Sequence, residues 1–300
     1  MKKHAAGFDL SLVKMRRARA ADKATVLDFC RHTFGRWGDY MPEVWERWIR
    51  ERSGLFAVAE VRGVPVGVGK ITVQRSGELW LEGLRVDPHW RGCGVGRVIQ
   101  DWTWRKAMAM RPRSIRYATG SYNKISQHLG RSKSMRIVAE FDEFTARPLP
   151  ARETQLVCAS NRDLEPLLQL FERDAAARHW HGLLLEGWVA KAFDRDSLAR
   201  LVRQKRVYAY TDERGLAGAL VYLQSKDKKY FNYCRVAARD RATFRLVLHE
   251  GRRLAAVLGA KKMEMHLPHA LRPRRLAAGT GWRLAMPIWM VVLEWRRAAR

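Results

Sequence analysis

Two kinds of apolar spacing follow one another along the chain, and their order predicts the fold. Residues 13–34, "VKMRRARAADKATVLDFCRHTF", read as a short strand, a break at Ala20-Ala21-Asp22, and a helix. Asp22 is placed to cap that helix, and Val26, Leu27, Cys30 and Phe34 keep helical spacing. "MPEVWERWIRERSG" reads as a second helix, with Pro42 and Glu43 in its first turn, Gly54 at its end, and Met41, Trp45 and Trp48 on one face. Residues 55–86 are strand material, punctuated by turns at Arg62-Gly63 and Ser76-Gly77. A helix follows, with Val95, Val98, Ile99 and Trp102 at i, i+3, i+4 and i+7. "SIRYATGS" then reads as a strand, "NKISQHLGRSK" as a short helix, and "MRIVAEFDEFTAR" as a further strand.

After the proline-bearing stretch "RPLPARE" near residue 150 the grammar starts again. "RVYAYTDERGLAGALVYLQ" repeats the order of "GLFAVAEVRGVPVGVGKIT": strand, Arg-Gly turn, small-residue strand. Setting Arg62-Gly63 on Arg214-Gly215 gives an offset of 152 residues. A period of that size marks a duplicated domain, since solenoid repeats run about 20–50 residues. Residues 1–150 and 151–300 are therefore expected to be two domains of one class, α/β (α+β), each with a mixed, mostly antiparallel central sheet flanked by helices.

Composition changes this picture in three ways. The chain is 47% hydrophobic over 300 residues, enough for two cores and too much for a disordered protein. No apolar run approaches the ~18 residues of a membrane helix, and Asp9 and Lys14 interrupt the N-terminal run, so neither a membrane span nor a secretory signal is expected. Cys30, Cys93, Cys158 and Cys234 are scattered, which suits reduced thiols in the cytoplasm and not a disulfide frame or a zinc site. The net charge is +27, divided as +13 and +14 between the two halves. Such a field attracts anions, among them nucleotides, nucleic acid and acidic partners, although an arginine-rich solvated surface would carry the same excess.

The chemistry concentrates in "RVDPHWRGCGVGRVIQ", residues 85–100. An apolar strand ends at Leu84-Arg85-Val86, turns at Asp87-Pro88, and passes through Arg91, Gly92, Cys93, Gly94, Val95, Gly96 and Arg97 straight into a helix. A helix N-terminus offers unpaired N–H groups and partial positive charge, and glycines let the backbone close around a phosphate. No Lys-Ser or Lys-Thr follows Gly96, which excludes the P-loop, and the third glycine is misplaced for the GxGxxG fingerprint. The spacing fits [Q/R]-x-x-G-x-[G/A] after a strand. With the neighbouring elements over residues 13–148, this closely resembles motif A of the GNAT superfamily of N-acetyltransferases.

The resemblance implies a direct transfer of an acetyl or other acyl group from coenzyme A to a primary amine. It implies that acetyl-CoA lies with its pantetheine along Leu84, Arg85 and Val86 and its pyrophosphate on the N–H groups of Arg91 to Arg97. Asn123, which opens the short helix after "YATGSY", matches a recurrent family asparagine on the cofactor side. Strand alternation puts Glu82 on the same face as Leu84 and makes it the candidate general base, with Glu78 in reserve. The tyrosine that the family places seven residues after the asparagine is Gly130 here, so Tyr122, Ser126 and His128 are the polar groups left to serve the departing thiolate.

The corresponding turn of the second half, "VAARDRATFR", has no glycine, so only the N-terminal half is expected to hold the cofactor. Trp37, Tyr40, Trp45 and Trp48 fall where an acceptor pocket would lie, but their helical spacing favours core packing. His179 and His181 lack a third ligand nearby, so no metal is expected. "SKDKKYF" reads as a solvated hairpin turn. The charge leaves a second functional class open, a non-catalytic acyl-CoA sensor or a basic nucleic-acid-binding protein, although no nucleic-acid motif is visible. The sequence does not indicate the acceptor or the oligomeric state.

Overall fold

Strand β2 (Leu55–Val61) turns into β3 (Val64–Arg75) through Arg62 and Gly63, both at positive φ, 50° and 81°. Such a turn matches the twist of an antiparallel pair and favours glycine at its second position. The computed structural model that shows this describes residues 8–34, 38–75, 77–150, 152–174, 176–224, 230–271, 275 and 277–298. Trp37, Ser76 and residues 225–229 of the basic hairpin turn lie outside them.

By packing, the chain forms two units. The first comprises Met1–Tyr117, Ile125–Arg136 and Glu294–Arg300, and the second comprises Ala118–Lys124 and Ile137–Leu293. The units are therefore interleaved along the chain and do not follow one another across residue 150.

In the first unit the neighbouring strands run β1 (Val13–Arg17), β2, β3, β4 (Glu78–Val86) and β5 (Ser114–Gly120). All pairs are antiparallel except β4 with β5, which is parallel. Helices α1 (Lys23–Cys30) and α2 (Met41–Arg50) cover one face, where Val26, Cys30, Met41, Trp45 and Trp48 pack on Phe56, Val58 and Val68. Trp45 and Trp48 are each 1% exposed and meet Phe56 edge-on at 5.1 and 5.2 Å, so these tryptophans are core and not pocket lining. Each such aromatic contact contributes about 0.5–1.5 kcal/mol beyond its buried area. The other face carries α3 (Val95–Ala109), whose Val95 and Ile99 close on Val13, Ala59, Val61 and Val66. Helix α4 (Lys124–Arg131) follows β5.

Asp22 stands at the expected N-cap position of α1, but its side chain turns backwards. It accepts the Arg19 N–H at 2.7 Å and pairs with Arg16. Phe34 lies beyond the end of α1 and is largely exposed.

In the second unit the neighbouring strands run β14 (Arg283–Arg296, as far as Leu293), β6 (Arg136–Ala146), β13 (Lys262–Pro268), β12 (Tyr230–Ala238), β11 (Gly215–Gln224), β10 (Val207–Asp212) and β7 (Val157–Cys158). Its helices are α5 (Leu164–Arg173), α6 (Ala177–Trp180), α7 (Arg195–Arg203) and α8 (Arg241–Val257), and a hairpin of β8 (Leu183–Glu186) and β9 (Val189–Ala192) completes it. One core cluster gathers around α8 and another around α5 and α7.

The two units repeat each other in detail. Gly215 turns β10 into β11 at φ 96°, as Gly63 turns β2 into β3. β12 pairs with β13 in parallel, as β4 does with β5. Arg85 and Arg235, 150 positions apart, both lie among aromatic rings. Arg85 stands over Phe34 and Tyr40 at 4.8 and 5.1 Å, and Arg235 over Phe193 and Trp180 at 4.5 and 5.2 Å. None of the four cysteines is in a disulfide, and no helix among the described residues is long and apolar enough to cross a membrane.

Candidate active site

The site is built on β4. Its ladder with β3 slips: Lys70 stands opposite Glu82, but Val68 stands opposite Arg85, so β4 carries one extra residue between them. Gly83 makes this bulge possible, with φ at 68° and a position where a Cβ would come within 2.7 Å of the Trp48 ring. A bulge inverts the alternation beyond it. Glu82 accordingly faces Thr72 on β3, whereas Leu84 packs with Val95 and Ile99 on the α3 face. The shared face expected for Glu82 and Leu84 does not exist, because strict alternation fails at Gly83. β12 has the same extra residue, with Tyr222 opposite Tyr233 and Val221 opposite Arg235.

On its other edge β4 pairs with β5 for three residues only, from Glu78–Ser114 to Trp80–Arg116. The closed end is pinned by Arg116, 3% exposed, which donates to Glu78 at 3.1 Å and to Glu294 at 2.7 Å. Beyond Trp80 the strands part, leaving the β5-facing main chain of residues 81–86 without a ladder to β5 among the described residues.

The strand leads into the glycine turn. The Asp87 N–H donates to the Val66 carbonyl at 2.9 Å, and the Asp87 carboxylate accepts the His89 N–H at 2.9 Å. Arg91 Nε reaches back to the Val86 carbonyl at 3.2 Å. Gly92 and Gly94 have φ of 83° and 85°, values that favour glycine. Gly94 is the N-cap of α3, and its carbonyl accepts from Arg97 and Val98 at 3.0 and 3.2 Å. The N–H groups of Gly94, Val95 and Gly96 have no hydrogen-bond partner among the described residues.

Gly96 is informative in a different way. It lies inside α3, where glycine costs about 1 kcal/mol relative to alanine. A Cβ there would meet only Val86, at an ordinary 3.6 Å. The packing of the described residues does not require glycine at this position, and its lack of a side chain leaves the helix N-terminus open there. In the second unit the equivalent helix end is closed from within: Asp240 caps α8, its carboxylate accepting the Thr243 N–H at 2.8 Å.

Glu82 is the carboxylate nearest the bulge. Its Oε1 accepts the Thr72 hydroxyl at 2.5 Å. Burial pushes its carboxyl above the usual carboxylate range, against the pull of the Thr72 hydrogen bond and of the Lys70 and Arg47 charges. Glu78 is bound instead by Arg75 at 2.6 Å and by Arg116. Arg85 turns its side chain away from the α3 face: Nε donates to Asp39 at 2.7 Å and Nη1 to the Leu84 carbonyl at 3.0 Å.

The remaining sequence-predicted residues fall in different places. Tyr122 and Asn123 belong to the second unit, where Tyr122 is 61% exposed and the Asn123 N–H donates to the Gly120 carbonyl at 2.9 Å. Ser126 belongs to the first unit, and its carbonyl accepts the Tyr117 hydroxyl at 2.6 Å. Gly130, where the family places its tyrosine, points its N–H at that same phenol oxygen, so a tyrosine does stand at this turn of α4 but comes from β5. Burial raises the Tyr117 phenol to about 12. Sequence reasoning missed Tyr117, Thr72 and Lys70; the signal available for Lys70 was a lysine in the otherwise apolar run "VPVGVGKITV".

Residues 23–131 match the model of the acetyltransferase (GNAT) family. These residues are an acetyltransferase domain of the GNAT family. A histidine N-acetyltransferase of Xenopus tropicalis is 40% identical over 63 residues, which is 21% of this chain and 19% of that relative. The match thus spans about a fifth of the relative's length. Among solved structures, a GCN5-related N-acetyltransferase from Sphaerobacter thermophilus has a TM-score of 0.64 at 14% identity, covering 96% of this chain and 97% of the other. A tandem GNAT protein from the clavulanic acid biosynthesis pathway has a TM-score of 0.56 at 13% identity, covering 96% and 99%. These likenesses extend the GNAT fold over nearly the whole chain, including the half that the family model does not reach.

Proposed function

We propose that this GNAT protein is an acyl-CoA-dependent N-acyltransferase that uses its N-terminal half for the cofactor. The observation that carries the reading is the α3 N-terminus: N–H groups at Gly94, Val95 and Gly96 without a partner among the described residues, two αL glycines, and a helical glycine that the packing of the described residues does not require. These suit a pyrophosphate, which helix N-termini bind through N–H groups and dipole. Arg91, Cys93 and Arg97 complete the turn, and the main chain of Leu84, Arg85 and Val86 lies along the edge that β5 leaves.

Acetyl-CoA supplies the acyl group. The β4 main chain at the bulge offers N–H groups to a thioester carbonyl. Glu82 takes the proton that a primary ammonium must lose before it can attack, and burial raises its affinity for protons, the direction that favours a general base. Glu78 is left out of this role by its two arginine partners. Ser126 is assigned to the environment of the departing thiolate, which leaves tolerably even without a proton. The Asp240 cap keeps the second half from acting as a phosphate seat. The thiols outside disulfides suit a reducing, cytoplasmic setting.

The likeness to the histidine N-acetyltransferase of Xenopus tropicalis makes a free amino acid the first acceptor to try. The test is release of CoA thiol from acetyl-CoA across a panel of amino acids, polyamines, aminoglycosides and peptides. Acceptor-dependent release supports the reading. Acetyl-CoA binding without any release would favour a sensor. Salt-dependent binding of a generic oligonucleotide in place of acetyl-CoA would favour the basic nucleic-acid-binding alternative.

A further inference from the structure

Lys70 is the least expected side chain of the first unit. It points inward from β3, 0% exposed, directly across the ladder from Glu82. Its ammonium donates to Glu51 Oε2 at 2.7 Å and to the Ile71 carbonyl at 2.7 Å. Glu51 is the C-cap residue of α2 and also faces a surface cavity of about 510 Å³ with Arg17 and Arg50.

The seat for this ammonium is built into the chain. A Cβ on Gly54 would lie 2.6 Å from Lys70 Nζ, 2.3 Å from the Ile71 carbonyl oxygen and 2.7 Å from Glu51 Oε1. Gly54 therefore does more than end a helix; it leaves space for the ion pair. A buried pair of this kind is weak evidence of stabilisation, because desolvation offsets most of the attraction. Lys70 also makes no hydrogen bond to Glu82: Thr72, two residues along the same strand, does that.

We propose that Lys70, locked by Glu51, is a positioning residue that holds Glu82 ionised for removal of the acceptor's proton. The proposal rests on the reading of Glu82 as the base. Thr72 aims the carboxylate and Lys70 supplies the charge. The groups around Glu82 are Lys70 and Thr72 on β3, Arg47 on α2, Glu51 at its end and Tyr40 at its start, and Arg17 on β1 also acts on Lys70. Lys70 and Arg47 favour the carboxylate form, whereas Glu51 opposes it. Burial and Arg17 work against the Lys70 charge, and Glu51 maintains it.

The signs of two substitutions follow. Lys70→Met removes a cation, so the acidic limb of kcat/KM against pH should move up by about one pH unit or more. Glu51→Gln removes an anion but leaves an amide oxygen that, with the Ile71 carbonyl, still accepts from the Lys70 ammonium, so the cation stays and the limb should move down. Lys70→Arg keeps the charge and should keep the limb near its wild-type position. A pair with only a structural role would lower thermal stability in both variants and leave the limb in place. The carboxyl of Glu82 is titrated in parallel by carbon-13 NMR on the ligand-free protein, a readout independent of turnover.

Opposite shifts for Lys70→Met and Glu51→Gln, in both NMR and rate, support the proposal. Unmoved titration curves, or shifts of the same sign, overturn it. NMR shifts that the rate profile does not follow remove Glu82 as base and overturn it as well. Failure of the wild-type protein to bind acetyl-CoA would count against the broader functional reading instead. Should Lys70→Met not fold, Glu51→Gln and Lys70→Arg decide the outcome.

Discussion

Glu82 and Gly83 show how much a single backbone irregularity controls. The glycine lets β4 gain one residue, which turns Glu82 toward Thr72 and Leu84 toward α3. Glu82→Gln should keep the Thr72 contact and the fold but lower kcat by about 100-fold or more, with acyl-CoA affinity unchanged, as rate and calorimetric measurements on one preparation would show. A base proposed at Glu82 must be deprotonated to act, so on that proposal kcat/KM should climb through a limb above the ordinary carboxylate range, the direction in which burial moves Glu82. Loss of that limb in Glu82→Gln is part of the same expectation. The glycine turn ahead of α3 was legible in the sequence, because three glycines between a strand and a helix let the backbone close around a phosphate. The bulge was not: the apolar pattern reads smoothly through it, and Gly83 resembles any small residue in a strand. Lys70 left one local trace, a lysine inside an apolar strand run, but its Glu51 partner and its place opposite Glu82 are set by pairing that the local pattern does not record.

At the scale of elements, α3 and α8 are the same helix treated in two ways. Both follow a bulged strand, yet α3 begins at a left-handed glycine and α8 at a capping aspartate. Asp240→Ala should cost about 1 kcal/mol of stability, read from denaturant unfolding, and leave acetyl-CoA affinity unchanged. A marked loss of affinity in that variant would mean that α8 takes part in binding. Helices and hairpins were legible because apolar spacing and Arg-Gly turns are local signals. Pairing partners were not, because no local pattern records that the parallel ladder of β4 with β5 ends after three residues. Asp22 shows the same limit: its position was readable, but the Arg16 partner that turns it backwards was not.

At the scale of the whole molecule, the duplication shows in the 152-residue offset of the Arg-Gly turns and in the matching arginines at 85 and 235. The interleaving does not show, because it depends on which unit receives a strand. Residues 137–146 of β6 pack with the second unit, where Phe141 and Phe144 are buried, and Glu294 near the C-terminus returns to the first unit to hold Arg116. A fragment of residues 1–150 should therefore be a poor domain. It would strip the partners from Phe141 and Phe144 and leave the buried Arg116 without Glu294. Fluorescence melts should show low cooperativity or aggregation, and a sharp transition at the temperature of the full chain would refute the interleaving. The +27 charge fits an anionic cofactor and leaves its other partners open.

The central claim is that the turn from Arg91 to Arg97 is the chain's acyl-CoA phosphate seat. Calorimetric titration of acetyl-CoA into the full-length wild-type protein and into Gly94→Glu tests it most directly. The substitution places an anionic side chain at a backbone φ of 85°, on the N-cap whose N–H groups would meet the pyrophosphate. One site per chain in the wild-type protein, weakened at least about 100-fold in a Gly94→Glu protein that still melts cooperatively, is the predicted result. Equal binding by the two proteins would contradict the account.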